Sequence, residues 1–196
     1  MKVMQSSRVE KQQKGLMAVS ERSEQDLLEQ KCLNLLQNVL EIEPELLAAK
    51  MMHSDSFIEY LLDTLDQTHS MTTFGRISYA QVLCSDILTQ VVSNCGTAFR
   101  SKFVITKQGM LRLLTLIDAQ IESSEEALTD TTLELVENAM DALAMLLVDD
   151  QIKENAGVFQ EARGFQMMLA LIISRPELRR ESLKILSIAL TKCTAE

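Results

Sequence analysis

The sequence predicts an all-α fold in which about three helical repeats stack into a solenoid, and three observations carry that reading. The composition is helical: of 196 residues 46% are hydrophobic, Trp is absent, Pro occurs twice and Gly six times, too little punctuation for a sheet protein. Apolar residues recur at helical spacing from Leu28 to Cys193, where a strand would alternate. One block also recurs, since Gly109-Met110-Leu111-Arg112-Leu113-Leu114-Thr115-Leu116-Ile117 lies over Gly164-Phe165-Gln166-Met167-Met168-Leu169-Ala170-Leu171-Ile172 with apolar mostly on apolar.

Residues 1–22 set Lys2, Arg8, Lys11, Lys14 and Arg22 against Glu10 and Glu21. With little apolar periodicity they read as a basic, mobile lead-in to a repeat domain over residues 23–196. A first amphipathic helix runs from Leu28 through Cys32, Leu35, Leu36 and Val39 to about Glu43, and Pro44 opens a short helix to Met51, where its missing N–H is harmless. Ser56 with Glu59 predicts a capping box for a helix through Phe57, Tyr60, Leu61, Leu62 and Leu65, followed by a polar loop from Gln67 to Gly75.

The clearest stripe is Ala80, Leu83, Cys84, Ile87, Leu88 and Val91, broken by Asn94-Cys95-Gly96. A shorter segment covers Ala98 to Ile105, a helix follows Gly109, and an acidic loop runs from Asp118 to Asp130. The helix from Thr131 to Val148 buries Leu133, Val136, Ala139, Met140, Leu143 and Leu147. Then a short piece, Ile152 to Glu161, and a helix opened by Gly164 repeat the pattern. Ser174 and Glu177 predict a second capping box, with Pro176 in the first turn, for the last helix through Leu178, Ile185, Leu186, Ala189 and Cys193.

Each unit is thus a short, a middle and a long helix. Copies begin at Phe57, Met110 and Phe165, spacings of 53 and 55 residues, longer than the armadillo or HEAT period of about 40 to 47; the loops 67–75 and 118–130 supply the excess. A unit cannot cover its own apolar side, so stacking gives an armadillo/HEAT-like, right-handed superhelical solenoid with a concave face lined by the third helices. An irregular helical bundle is the alternative architecture.

With the repeats placed, residues 24–192 resemble the armadillo core of the beta-catenin-like protein 1 family, nuclear proteins associated with the spliceosome. The likeness rests on Glu43-Pro44-Glu45, Phe57-Ile58-Glu59-Tyr60-Leu61-Leu62, and Phe74 leading to Tyr79-Ala80-Gln81-Val82-Leu83-Cys84-Ser85-Asp86-Ile87-Leu88. It continues through Gly109-Met110-Leu111-Arg112-Leu113-Leu114, Glu137-Asn138-Ala139-Met140-Asp141-Ala142-Leu143, Gly164 to Leu169, and Ser182-Leu183-Lys184-Ile185-Leu186. Members of that family are considerably longer, so the chain reads as a shortened, divergent member. The resemblance implies a nuclear adaptor that engages the spliceosomal nineteen complex and binds basic, nuclear-localisation-type segments of its partners.

The residues themselves point to holding rather than catalysis. The net charge is −9 and the lead-in is basic, so the folded body is more acidic still; it repels phosphate backbones, which counts against direct nucleic-acid binding, and attracts basic segments. Opposite the apolar stripes lie Gln30, Asn34 and Gln37 on the first third-type helix, Ser85, Asp86 and Thr89 on the second, and Glu134, Asn138 and Asp141 on the third. Carboxylates and amides at these positions suit Lys and Arg of an extended peptide and its backbone. No Trp is present to stack on lysine stems, as importin-type grooves do.

Catalytic signatures are missing: there is no G-x-S-x-G, H-E-x-x-H or Gly-rich phosphate loop, and Asp149-Asp150 has no partner base. His53 and His69 lack further ligands at metal spacing, and Cys32, Cys84, Cys95 and Cys193 are scattered as reduced structural thiols. No cofactor is expected. Ser123-x-x-Glu126 reads as a helix cap ahead of a kinase target. The longest apolar runs, about seven residues, fall far short of the roughly 20 of a membrane span, and no secretory leader is evident. A nuclear splicing scaffold therefore stands beside two other readings, a cytoplasmic armadillo or HEAT adaptor and a helical subunit of an enzyme whose catalytic residues come from a partner.

Overall fold

The structure, a computed structural model, describes residues 24, 26–51, 54–66, 77–122, 128–149 and 154–193. The lead-in 1–22, the loop 67–75, both histidines, Asp150 and the Ser123–Glu126 pair lie outside the described residues. All the regular structure described is helical. Helix α1 covers 26–42. It is followed by α2 (Pro44–Met51), α3 (Asp55–Asp66), α4 (Tyr79–Asn94), α5 (Thr97–Ile105), α6 (Gly109–Glu122), α7 (Asp130–Val148), α8 (Asn155–Glu161), α9 (Gly164–Ser174), a 3-10 turn at Pro176–Leu178, and α10 (Arg179–Cys193).

The units are α2–α3–α4, α5–α6–α7 and α8–α9–α10, with α1 as a third-type helix ahead of them. Within each, the second helix packs on the third; between units the third helices pack side by side, α4 on α7 and α7 on α10. One apolar core runs through the stack, from Leu33 and Leu40 through Ile87, Val91, Met140 and Leu143 to Ile185 and Ala189. The arrangement is a solenoid of repeats and not a bundle around a common axis.

The passage from first to second helix is built twice in the same way. Phe103 near the end of α5 and Phe159 near the end of α8 are buried. The chain then turns through Gln108 (φ 50) and Arg163 (φ 61), both left-handed, into Gly109 and Gly164. A Cβ on Gly109 would sit 2.0 Å from the Phe103 ring, and one on Gly164 2.3 Å from the Phe159 ring. Glycine is required because each ring lies flat against the first turn of the next helix.

Three expectations about helix ends are corrected. Helix α3 starts at Asp55, with the Phe57 and Ile58 amides bonded to the Ser54 carbonyl, and Glu59 does not complete a box with Ser56. Its carboxylate is drawn to Lys107 and Arg112 of the next unit, where charge on both sides makes the stronger bond. Ser174 does not cap α10; its hydroxyl donates back to the Ala170 carbonyl, and Arg175, extended before Pro176, occupies the cap position of a 3-10 turn instead. The acidic loop expected from Asp118 is shorter, since α6 continues to Glu122 to bury Gln120 and pack Ile121 on the core.

The capping box that does form was not foreseen. Ser78 accepts from the Gln81 amide at 3.2 Å, and the Gln81 side chain accepts from the Ser78 amide at 2.8 Å, fixing the start of α4. Thr129 caps α7 through the Thr132 amide, also at 3.2 Å.

Candidate protein-binding face

The third helices α1, α4, α7 and α10 stand in a row and make one face of the stack. Polar side chains cross-link this row at each seam. Between α1 and α4, Gln37 Nε2 donates to Asp86 Oδ2 at 2.7 Å and the Tyr79 hydroxyl donates to Asn34 Oδ1 at 3.3 Å. Between α4 and α7, Asn138 Nδ2 donates to Ser85 Oγ at 3.1 Å and Thr89 Oγ1 donates to the Asn138 carbonyl at 2.8 Å. Between α7 and α10, Lys184 Nζ donates to Asp141 Oδ1 at 2.8 Å, and that bond holds the ammonium above its usual range.

The structure therefore joins seven of the nine candidate residues to one another in three groups, Gln30 with Asn34, Gln37 with Asp86, and Ser85 with Thr89 and Asn138, with different consequences for each. Ser85 is buried and its hydroxyl also donates to the Val82 carbonyl, so it belongs to the α4–α7 seam and is closed to a ligand. Gln37, Thr89 and Asn138 are half-buried seam residues. Gln30 and Asn34 are also half-buried, joined by a bond from Asn34 Nδ2 to the Gln30 carbonyl at 2.9 Å. Asp86 accepts from both Gln37 and Gln90; each bond uses one lone pair, and a carboxylate has about four. Asp141 is exposed although paired, and Glu134, the ninth, is exposed.

Glu137 was missed. It is exposed on α7 between Glu134 and Asp141, so the three carboxylates follow i, i+3, i+7 and line one side of the helix. The spacing was readable in the sequence. What the side can do is electrostatic: three acidic groups on a rigid helix, with Asp86 one helix away, form a row suited to cationic side chains.

The surface made by the second helices is electrostatically different. There Arg112 of α6 reaches back to Glu59 at 3.1 Å, Asp63 at 3.0 Å and Asp66 of α3, while Lys107 binds Glu59 and Lys102 binds Asp55, each at 2.6 Å. The Lys107 bond holds the Glu59 carboxyl below its usual range, and the Lys102 bond does the same for Asp55. Acid and base pair with one another across this junction of α3 with α5 and α6.

Buried thiols add no chemistry. Burial pushes Cys84 up to about 12 and Cys95 up to about 11, which leaves no thiolate near neutral pH. Among the described residues no group of three or more His, Cys, Asp or Glu is placed to hold a metal ion, and no helix is long and apolar enough to cross a membrane.

Stacked three-helix units with their third helices in a row along one face define an armadillo-type scaffold. The family profile of catenin-beta-like, Arm-motif-containing nuclear proteins matches residues 4–196, and the chain belongs to that family, which places it in the nucleus. No curated protein and no solved structure matches the chain.

Proposed function

We propose that the protein is a non-enzymatic nuclear adaptor whose third-helix face binds basic, nuclear-localisation-type segments of partner proteins, and that these partners belong to the pre-mRNA splicing machinery. The observation that carries the binding reading is the exposed carboxylate pair Glu134 and Glu137 on α7, continued along the same side by Asp141, which Lys184 pairs. The net charge of −9 supports it by drawing cationic segments from a distance. The assignment to splicing rests on the family resemblance.

The decisive variant is Glu134→Lys with Glu137→Lys, because neither residue makes a seam contact described above, whereas Asp141 holds Lys184. Two charge reversals at exposed positions, where an ion pair is worth about 0.2–1 kcal/mol, remove two attractions and add two repulsions. Titration calorimetry with a Lys/Arg-rich peptide should show affinity falling by roughly 4- to 700-fold at low salt with an unchanged melting temperature. Unaltered affinity removes the binding reading. Capture from nuclear extract separately tests the partners, and failure to recover splicing factors removes that assignment alone.

A further inference from the structure

The two outermost helical layers of the stack present unlike faces. On α1, Asn34 and Gln37 point to α4, and at 100° per residue Leu28, Leu35 and Ile42 then fall in line on the side away from it. They are 62%, 64% and 78% exposed. At the other end Lys184 and Lys192 reach α7, which turns Leu183 of α10 away from it. Leu169 and Ile173, one turn apart on α9, are 54% and 82% exposed. In the repeated block Leu169 corresponds to Leu114, which is only 1% exposed, and Ile173 to the exposed Asp118. Scattered surface leucines need no explanation, but residues aligned on one side of a helix, one of them at a position buried in the neighbouring repeat, mark a contact surface.

Charge distinguishes the ends. Over 24–51, six acids (Glu24, Asp26, Glu29, Glu41, Glu43 and Glu45) face two bases. Over 164–193, Arg175, Arg179, Arg180, Lys184 and Lys192 outnumber Glu177 and Glu181. Each face is therefore mismatched to itself and matched to the other.

We propose that two copies of the chain associate head to tail, the acidic α1–α2 end of one seated on the basic α9–α10 end of the other, so that the aligned leucines and isoleucines continue the repeat stack across the junction. Such a contact is heterologous: it leaves one end of each kind free and does not close on itself.

Sedimentation velocity of the 196-residue chain should show reversible association that grows with concentration and weakens with salt. Two variants identify the geometry. Leu35→Lys with Ile42→Lys blocks the acidic end, and Leu169→Gln with Ile173→Gln blocks the basic end. Each alone should lose association, while an equimolar mixture should form a 1:1 dimer and stop there, because each copy retains one intact complementary end. A wild-type chain that stays monomeric up to millimolar concentration at low salt overturns the proposal, as does a mixture that fails to dimerise. Circular dichroism and melting of both variants establish that they fold; should either not, the wild-type concentration and salt series still decides.

Discussion

Gly109→Ala is the substitution for which the structure gives the most defined expectation. The added Cβ would lie 2.0 Å from Phe103 Cε1 and 2.4 Å from Cδ1 and Cζ, whereas ordinary contact begins near 3.4 Å, so the ring must withdraw by about 1.5 Å. It has little room: Phe103 is buried and stacks on Phe99 with centroids 6.0 Å apart. Overpacking of this kind costs about 1–3 kcal/mol, and the helix-propensity gain of alanine over glycine, at most about 1 kcal/mol and smaller in a first turn, offsets only part of it. The net loss of about 1–2 kcal/mol corresponds to a melting temperature lower by roughly 2–8 °C for a domain of this size. Gly157 supplies the control. It lies inside α8, and a methyl group added there would meet nothing within 4 Å, so Gly157→Ala should stabilise by about 0.5–1 kcal/mol. Urea titration of the two variants, with Phe103→Leu alone and combined with Gly109→Ala, checks both sign and cause. A neutral or stabilising Gly109→Ala, or strict additivity with Phe103→Leu, would refute the close-approach explanation of this turn.

Acid should loosen the second-helix surface. Asp55 and Glu59 have folded values below their ordinary 3.8 and 4.5, so the unfolded chain takes up protons first and the stability they contribute is present above those values and lost as pH falls through the folded ones. The urea midpoint should drop below about pH 5, and Glu59→Gln should flatten that limb. Lys107 and Lys184 lie above 10.5, so their contribution is complete below that value and disappears only as pH rises past the folded ones, leaving the neutral range flat. Alkylation of the native protein with iodoacetamide, followed by mass spectrometry, should modify the exposed Cys32 and Cys193 and spare the buried Cys84 and Cys95; four equal rates would contradict the burial.

Helical periodicity carried most of the fold, because a stripe such as Ala80 to Val91 faces the core wherever the helix is placed. The recurrence of Gly109 to Ile117 at Gly164 to Ile172 located the second helices, although not the reason for the glycines, which lies in rings five or six residues earlier. Helix ends were less legible. Whether Glu59 serves Ser56 or Lys107 is decided by a cation 48 residues away, which no local pattern contains. The candidate face fared similarly. Acidic, exposed Glu134 and Asp141 follow from α7 alone, but the burial of Ser85 depends on the register of α4 against α7, set by bonds such as Asn138 to Ser85 across 53 residues. Glu137 needed only the helical wheel of α7.

The side-chain bonds between units described above join partners 43 residues apart, as Asp141 and Lys184, to 53 apart, as Ser85 and Asn138; each links a unit to its neighbour and goes no further. Cooperativity in such a chain is nearest-neighbour: the free energy of the whole is a sum of unit terms and seam terms, and a weakened seam lowers the stability of the two units it joins before it reaches a third. The unit α5–α7, flanked by a complete unit on each side, should exchange its amide hydrogens most slowly, and opening should begin at the outer ones. The acidic row of α7, on that inner unit, is thus carried by the part of the molecule that opens last.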